Sequence, residues 1–292
     1  MGAVESFART FSILLESRRL YLLALILALL LAPLEAQLLL TGLPAGGDES
    51  VTGNILVEHY GSPGVEGAHP HEFLKNMGLY MVIAFVLSSI FQYGIVKGAL
   101  EHLRGGEIRL SGLILEGIRR SPGVIAVNLL YTVVALLLIG VALVPIGVGL
   151  MTLPTGAILL VVGFILLIPL GALATVLSLL AVPIYVEKGH IGASFKAINL
   201  VLGSVLQSIG FGLLVWAGIL GISVASSPLS FLSTLIFSGK TGAYVSAFLQ
   251  TPLNALLYEF LWVAGVSFYV ELRKRDEPEE GKEGSIGVEM SF

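Results

Sequence analysis

The chain has 292 residues, of which 55% are hydrophobic and a further 35 are glycine, while charged residues make up only 12%. A soluble domain carries about twice that share of charge, so the composition excludes a soluble globule and defines an integral membrane protein. A formal net charge of −4 without a basic stripe excludes nucleic acid as a partner, and the lack of cysteine excludes disulfides, thiolate metal sites and a cysteine nucleophile.

A bilayer core about 30 Å thick takes about 20 apolar residues of helix to cross. Six stretches qualify: Tyr21–Leu40, Met77–Val96, Gly123–Val144, Gly156–Val182, Ser204–Ala225 and Leu253–Val270. The first follows an amphipathic segment in which Val4, Phe7, Ala8, Phe11, Leu14 and Leu15 fall at helical spacing. Its apolar run exceeds the 7–15 residues or so of a signal peptide, so it reads as a retained span. Between the first two spans, Thr41–Asn76 is a glycine-rich acidic loop holding His59, His69, His71 and Glu72. Two histidines with flanking carboxylates are ligand types for zinc, copper or nickel. Pro70 between them favours an extended strand that sends the rings to opposite faces, so a solvated loop is the preferred reading.

Amphipathic segments recur before the third span, at Glu107–Arg120, and before the fifth, at Ile191–Leu202. Each is expected to lie in the membrane interface. After the fifth span, Pro228–Thr251 holds two apolar runs too short to cross, read as external interfacial helices in preference to a re-entrant hairpin. Ser238-Gly-Lys-Thr241 in this segment echoes the end of a phosphate-binding loop, but Thr234 stands where that loop needs glycine. The sixth span is followed by a polar tail, 273–292, expected to be cytoplasmic and disordered.

Basic residues set the orientation. With both termini in the cytoplasm, fourteen of the sixteen lysines and arginines are inside, and only Lys75 and Lys240 are outside. The expected location is therefore the cell membrane, with lipid as a necessary partner and a membrane protein or a second copy as a possible one.

The pattern repeats. The first two amphipathic segments end alike, as ILLESRR (Ile13–Arg19) and LILEGIRR (Leu113–Arg120). The returning spans end as YGIVK (Tyr93–Lys97), YVEK (Tyr185–Lys188) and YVELR (Tyr269–Arg273). We therefore expect one all-helical membrane domain over 1–272, built as three parallel hairpin units of about 1–104, 105–189 and 190–272 around a pseudo-threefold axis. Small residues every fourth position, at Ser204, Ser208 and Gly212, at Ala217, Gly221 and Ala225, and at Gly94 and Gly98, are expected to be packing faces.

The run VPIYVEKGHIGASFKAINLVLG (Val182–Gly203) resembles the segment between spans four and five of the six-span membrane domain fused to some glycerophosphoryl diester phosphodiesterases. Stand-alone archaeal and bacterial relatives of that domain share its six-span plan, and a closing Tyr-x-x-Leu-Arg pattern is matched by Tyr269–Arg273. The phosphodiesterase's metal-binding carboxylate pattern is absent from this sequence, so the resemblance implies the membrane fold and no hydrolase activity.

Only Glu35 and Glu259 are charged within the six apolar stretches. Both lie about 10 Å below the outer surface at 1.5 Å per residue, on the first and last spans, where they could face each other. Paired carboxylates in lipid call for a proton or cation, and Gln37, Asn254 and Tyr258 are near in sequence to complete a polar pocket. The functional expectation is a small transporter or permease linked to protons or cations. The alternative is a non-transporting scaffold that binds lipid or a partner. An intramembrane enzyme is disfavoured, because the spans add only Gln92, Asn128, Gln207 and Asn254 as large hydrogen-bonding side chains, and no cofactor motif is present.

Overall fold

The computed structural model describes residues 2–42, 70–106, 108–237 and 239–276. Helix is the secondary structure throughout these residues, as hydrocarbon requires of a chain whose backbone groups find no water. The helices are α1 (Ala3–Glu16), α2 (Arg18–Gly42), α3 (Pro70–Leu103), α4 (Leu110–Met151), α5 (Ala157–Lys188), α6 (Lys196–Leu202), α7 (Val205–Ile236) and α8 (Gly239–Asp276). A 3₁₀ turn at Ile191–Phe195 leads into α6. Six of them, α2, α3, α4, α5, α7 and α8, are long and apolar enough to cross a membrane, which makes this a multi-pass membrane protein.

The returning helices α3, α5 and α8 touch one another and form the centre. The outgoing helices fill the notches around them: α2 lies between α3 and α8, α4 between α3 and α5, and α7 between α5 and α8. Burial follows this order. Over their most apolar windows α8 is 56% buried and α4 only 11%, so α4 gives most of its surface to lipid. Close approach needs glycine at two central contacts. A Cβ on Gly265 of α8 would stand 2.4 Å from the Leu179 carbonyl oxygen of α5, and one on Gly117 of α4 would stand 2.4 Å from that of Ile90 in α3. Side-chain bonds add to the packing: Asn128 donates to Gln92 across α4 and α3 at 2.8 Å, and Trp216 to Thr175 across α7 and α5 at 3.0 Å.

Several expectations are corrected. The segment Glu107–Arg120 is not a separate interfacial helix, because from Leu110 it is the first part of α4, which runs unbroken through Pro122. Proline removes the N–H that would bond the Ile118 carbonyl, and the Ser121 hydroxyl takes its place at 2.9 Å. The same substitution serves Pro228, where Ser227 Oγ donates to the Val224 carbonyl at 2.8 Å. The segment 228–251 accordingly forms neither interfacial helices nor a re-entrant hairpin: its described residues prolong α7 and open α8. At the other end α8 continues through Arg273–Asp276, so the start of the expected tail is helical, while 277–292 lie outside the described residues.

The first amphipathic helix forms as expected, yet the face it turns to the bundle is its small polar one. Ser6, Thr10 and Ile13 are buried, whereas Val4 and Leu15 are 71% and 82% exposed. Small side chains let α1 approach α7 and α8 closely, and the large apolar ones are left to lipid, with Phe7 and Phe11 edging onto Phe260. Of the small-residue stripes, Gly94, Gly98, Ser208 and Gly212 pack against neighbours. Ala217, Gly221 and Ala225 face outward, and a Cβ on Gly221 would meet nothing within 4 Å.

Candidate functional site

Asn254 and Tyr258 are four residues apart and so share one face of α8, the face that meets Glu35 of α2. The Glu35 carboxylate accepts from Asn254 Nδ2 at 3.4 Å and from the Tyr80 hydroxyl of α3 at 3.3 Å. Tyr258 lies within electrostatic reach of both Glu35 and Tyr80 and stacks on Trp262. Three helices thus converge on one carboxylate. Gln37 is exposed and takes no part.

Glu259 follows Tyr258 by one residue, and the resulting 100° turn sends it to another side of α8. It is completely buried, and neither carboxylate oxygen has a hydrogen-bond partner among the described residues, Glu35 included. The sequence brings Glu35, Asn254 and Tyr258 together; depth alone did not fix the azimuth of Glu259. Tyr80 was missed, since a single tyrosine on an apolar span gives no sign of facing a carboxylate on another helix. The weak metal expectation lies elsewhere: His59 and His69 are outside the described residues, as are the side chains of His71 and Glu72. Among the described residues no three metal-ligating side chains are grouped.

A second polar centre lies where the C-terminal ends of α3, α5 and α8 meet the start of α4. Glu187 of α5 accepts from Arg104 of α3 and from Tyr269 and Arg273 of α8. Glu116 of α4 accepts from Lys97, and from the Tyr93 hydroxyl at 2.8 Å. In both cases a Tyr-x-x-x-basic face of a returning span, Tyr93 with Lys97 or Tyr269 with Arg273, grips a carboxylate on a neighbour. In the sequence these tyrosine-basic endings mark the repeat and give no sign of the carboxylates they grip. The third ending departs from this: the Tyr185 hydroxyl donates to the Arg120 carbonyl at 3.4 Å, and Gly189 stands where the basic residue would be. Two crevices open here, of about 560 and 240 Å³, and Glu187 lines both.

Two further polar contacts join elements: Gln207 accepts from Arg275 at 2.6 Å, and Arg9 pairs with Glu271 at 3.7 Å. Compared with protein-family models, with curated proteins and with solved structures, the chain finds no match.

Proposed function

We propose that the protein is a small transporter or permease of the cell membrane whose cycle includes a proton or cation at Glu259. The observation that carries this reading is a fully buried carboxylate, on the helix that touches most of the others, with no hydrogen-bond donor to either oxygen among the described residues. An uncompensated charge at such depth costs about 3 kcal/mol or more, and intramembrane carboxylates of this kind mark ion and proton pathways. A proton or a small cation is the compensating charge. Glu35 of α2, with Tyr80 of α3 and Asn254 and Tyr258 of α8, is a second station beside it.

The architecture belongs to the proposal. Three parallel hairpin units about a pseudo-threefold axis fit the contacts: returning spans meet at the centre, and each outgoing span touches its own partner and one span of the preceding unit. Helix α1 likewise lies on α7 and α8, and α6 on α5. With both termini cytoplasmic, the Glu187 and Glu116 centre faces inward, in line with the concentration of basic residues there. The likeness to the phosphodiesterase membrane domain rests on the motifs at Val182–Gly203 and Tyr269–Arg273.

Proteoliposomes holding a pH-sensitive dye, or sodium indicator, under an imposed potential test the function. Wild type is expected to carry protons or sodium, Glu259→Gln to lower that flux at least tenfold, and Glu35→Gln to lower it less. Equal flux in all three proteins, or flux in none, would remove the transport reading.

A second reading is a non-transporting scaffold for lipid or a partner, favoured by how closely neighbouring helices approach at Gly265 and Gly117. A copurifying lipid or protein lost on deleting residues 42–75 would favour it.

A further inference from the structure

The two crevices at the C-terminal ends of α3, α5 and α8 are lined by Lys97, Arg104, Arg120, Lys188, Arg273 and Lys274, against the carboxylates of Glu116 and Glu187. The carboxylates are already engaged by side chains within the protein, Glu187 by three donors and Glu116 by two. With Glu101 also paired to Lys97 at 3.7 Å, three positive charges remain in excess over a small area bounded by low-dielectric protein and lipid, which focuses the field on an anion. In the larger crevice Arg104 is 60% exposed and gives one terminal nitrogen to Glu187, while a guanidinium carries five N–H donors. Lys274, in the same wall, makes no hydrogen bond or ion pair among the described residues. Leu100, Leu103 and Val270 form an apolar side to the same space. Guanidinium and ammonium donors around an opening of this size suit the several oxygens of a phosphate. Basic pockets between membrane helices hold phosphate headgroups on the same principle.

We propose that the crevice between α3, α5 and α8 binds a phosphate group among Arg104, Arg273 and Lys274, with the organic part of the ligand along Leu100, Leu103 and Val270. The phosphate is that of an anionic lipid headgroup or of a soluble phosphate compound. This site is separate from Glu259, and it stands whether or not the protein transports.

The test uses the full chain in lipid nanodiscs, with phosphatidylglycerol and inorganic phosphate as probes. Native mass spectrometry of discs mixing phosphatidylglycerol with phosphatidylcholine is expected to show the anionic lipid retained. Arg104→Gln with Lys274→Gln should lower retention at least tenfold. Lys274→Gln alone, which breaks no bond among the described residues, should lower it about threefold without changing the melting temperature. Retention that inorganic phosphate does not displace makes the ligand a lipid. Binding of phosphate in purely zwitterionic discs, lost in the double variant, makes it a soluble phosphate compound. Arg109→Gln with Arg119→Gln removes the same charge outside the crevice and should leave binding unchanged. The proposal is overturned if neither probe binds, or if the two double variants lose binding equally.

Discussion

At the scale of the residue, Glu259 and Gly265 make opposite demands. Glu259 has two oxygens without donors among the described residues, so replacing it by leucine removes an unsatisfied polar group and should stabilise the protein in detergent by about 1–3 kcal/mol, read from thermal unfolding. A variant that is less stable than wild type would show that the carboxyl has a partner in the native membrane. Gly265→Ala should do the reverse, costing about 1–3 kcal/mol, because its Cβ would meet a backbone carbonyl that cannot rotate away. Gly221→Ala, with open space around it, is the matched control and should leave the melting temperature unchanged. The sequence revealed that Glu35 and Glu259 are the exceptional residues, since each interrupts an apolar run. It offered Asn254 and Tyr258 only as polar residues near in the chain, and their spacing of four is what puts both on the face that meets Glu35. It did not reveal Tyr80, because the contact depends on which faces of α2 and α3 meet.

Among elements, the junctions at the C-terminal ends of α3, α5 and α8 hold the bundle in register. Glu187 ties three helix ends together while its own side chain is only 11% exposed, so Glu187→Gln should cost about 2–4 kcal/mol and loosen α3, α5 and α8 together. Hydrogen exchange that rises in only one of the three helices would contradict a shared clamp. Helix α1 is held at its end by Glu16. Hydrogen bonds from Ser12 and then His102 keep its carboxyl below the usual carboxylate range. A depressed value means that this contribution is present above the ordinary carboxylate range and is lost as pH falls below that range through the depressed value. Protease cleavage near Ser17 should therefore rise only in acid below the ordinary carboxylate range, and in Ser12→Ala the rise should begin at higher pH. Helix boundaries were the least legible feature. Pro122 and Pro228 look like breaks in the sequence, and the serine before each proline, which restores a bond to the freed carbonyl, is the signal that would have predicted continuity.

For the whole molecule, six spans were readable because hydropathy and length depend on the chain alone. The order of packing was not, because lipid and protein interiors are equally apolar and hydrophobicity does not say which helix is central. Small residues gave part of the answer: Gly94, Gly98 and Gly212 do mark contacts, whereas Ala217, Gly221 and Ala225, at the same spacing, face away. Since the chain lacks cysteine, a single introduced thiol reports topology without background. Lys240→Cys should react with an impermeant maleimide in intact cells, and Lys188→Cys only after permeabilisation. The opposite pattern would reverse the orientation and place the phosphate crevice outside.

The hairpin of α4 and α5 carries no charged residue from Ser121 to Val186, including the turn at its tip. Its uncharged helical legs are each about 45 Å long at 1.5 Å per residue, well beyond a hydrocarbon core of about 30 Å. Even a steep tilt of about 40° leaves about 35 Å to accommodate along the normal. With nothing charged to fasten its tip in water and little protein around it, this hairpin is the part of the molecule most responsive to how thick the surrounding lipid is. Thinner bilayers would force it to lean further. Because Glu116 lies in the first turns of α4 and Glu187 at the end of α5, that leaning is expected to move the walls of the proposed phosphate crevice, which would make membrane thickness itself an input to it.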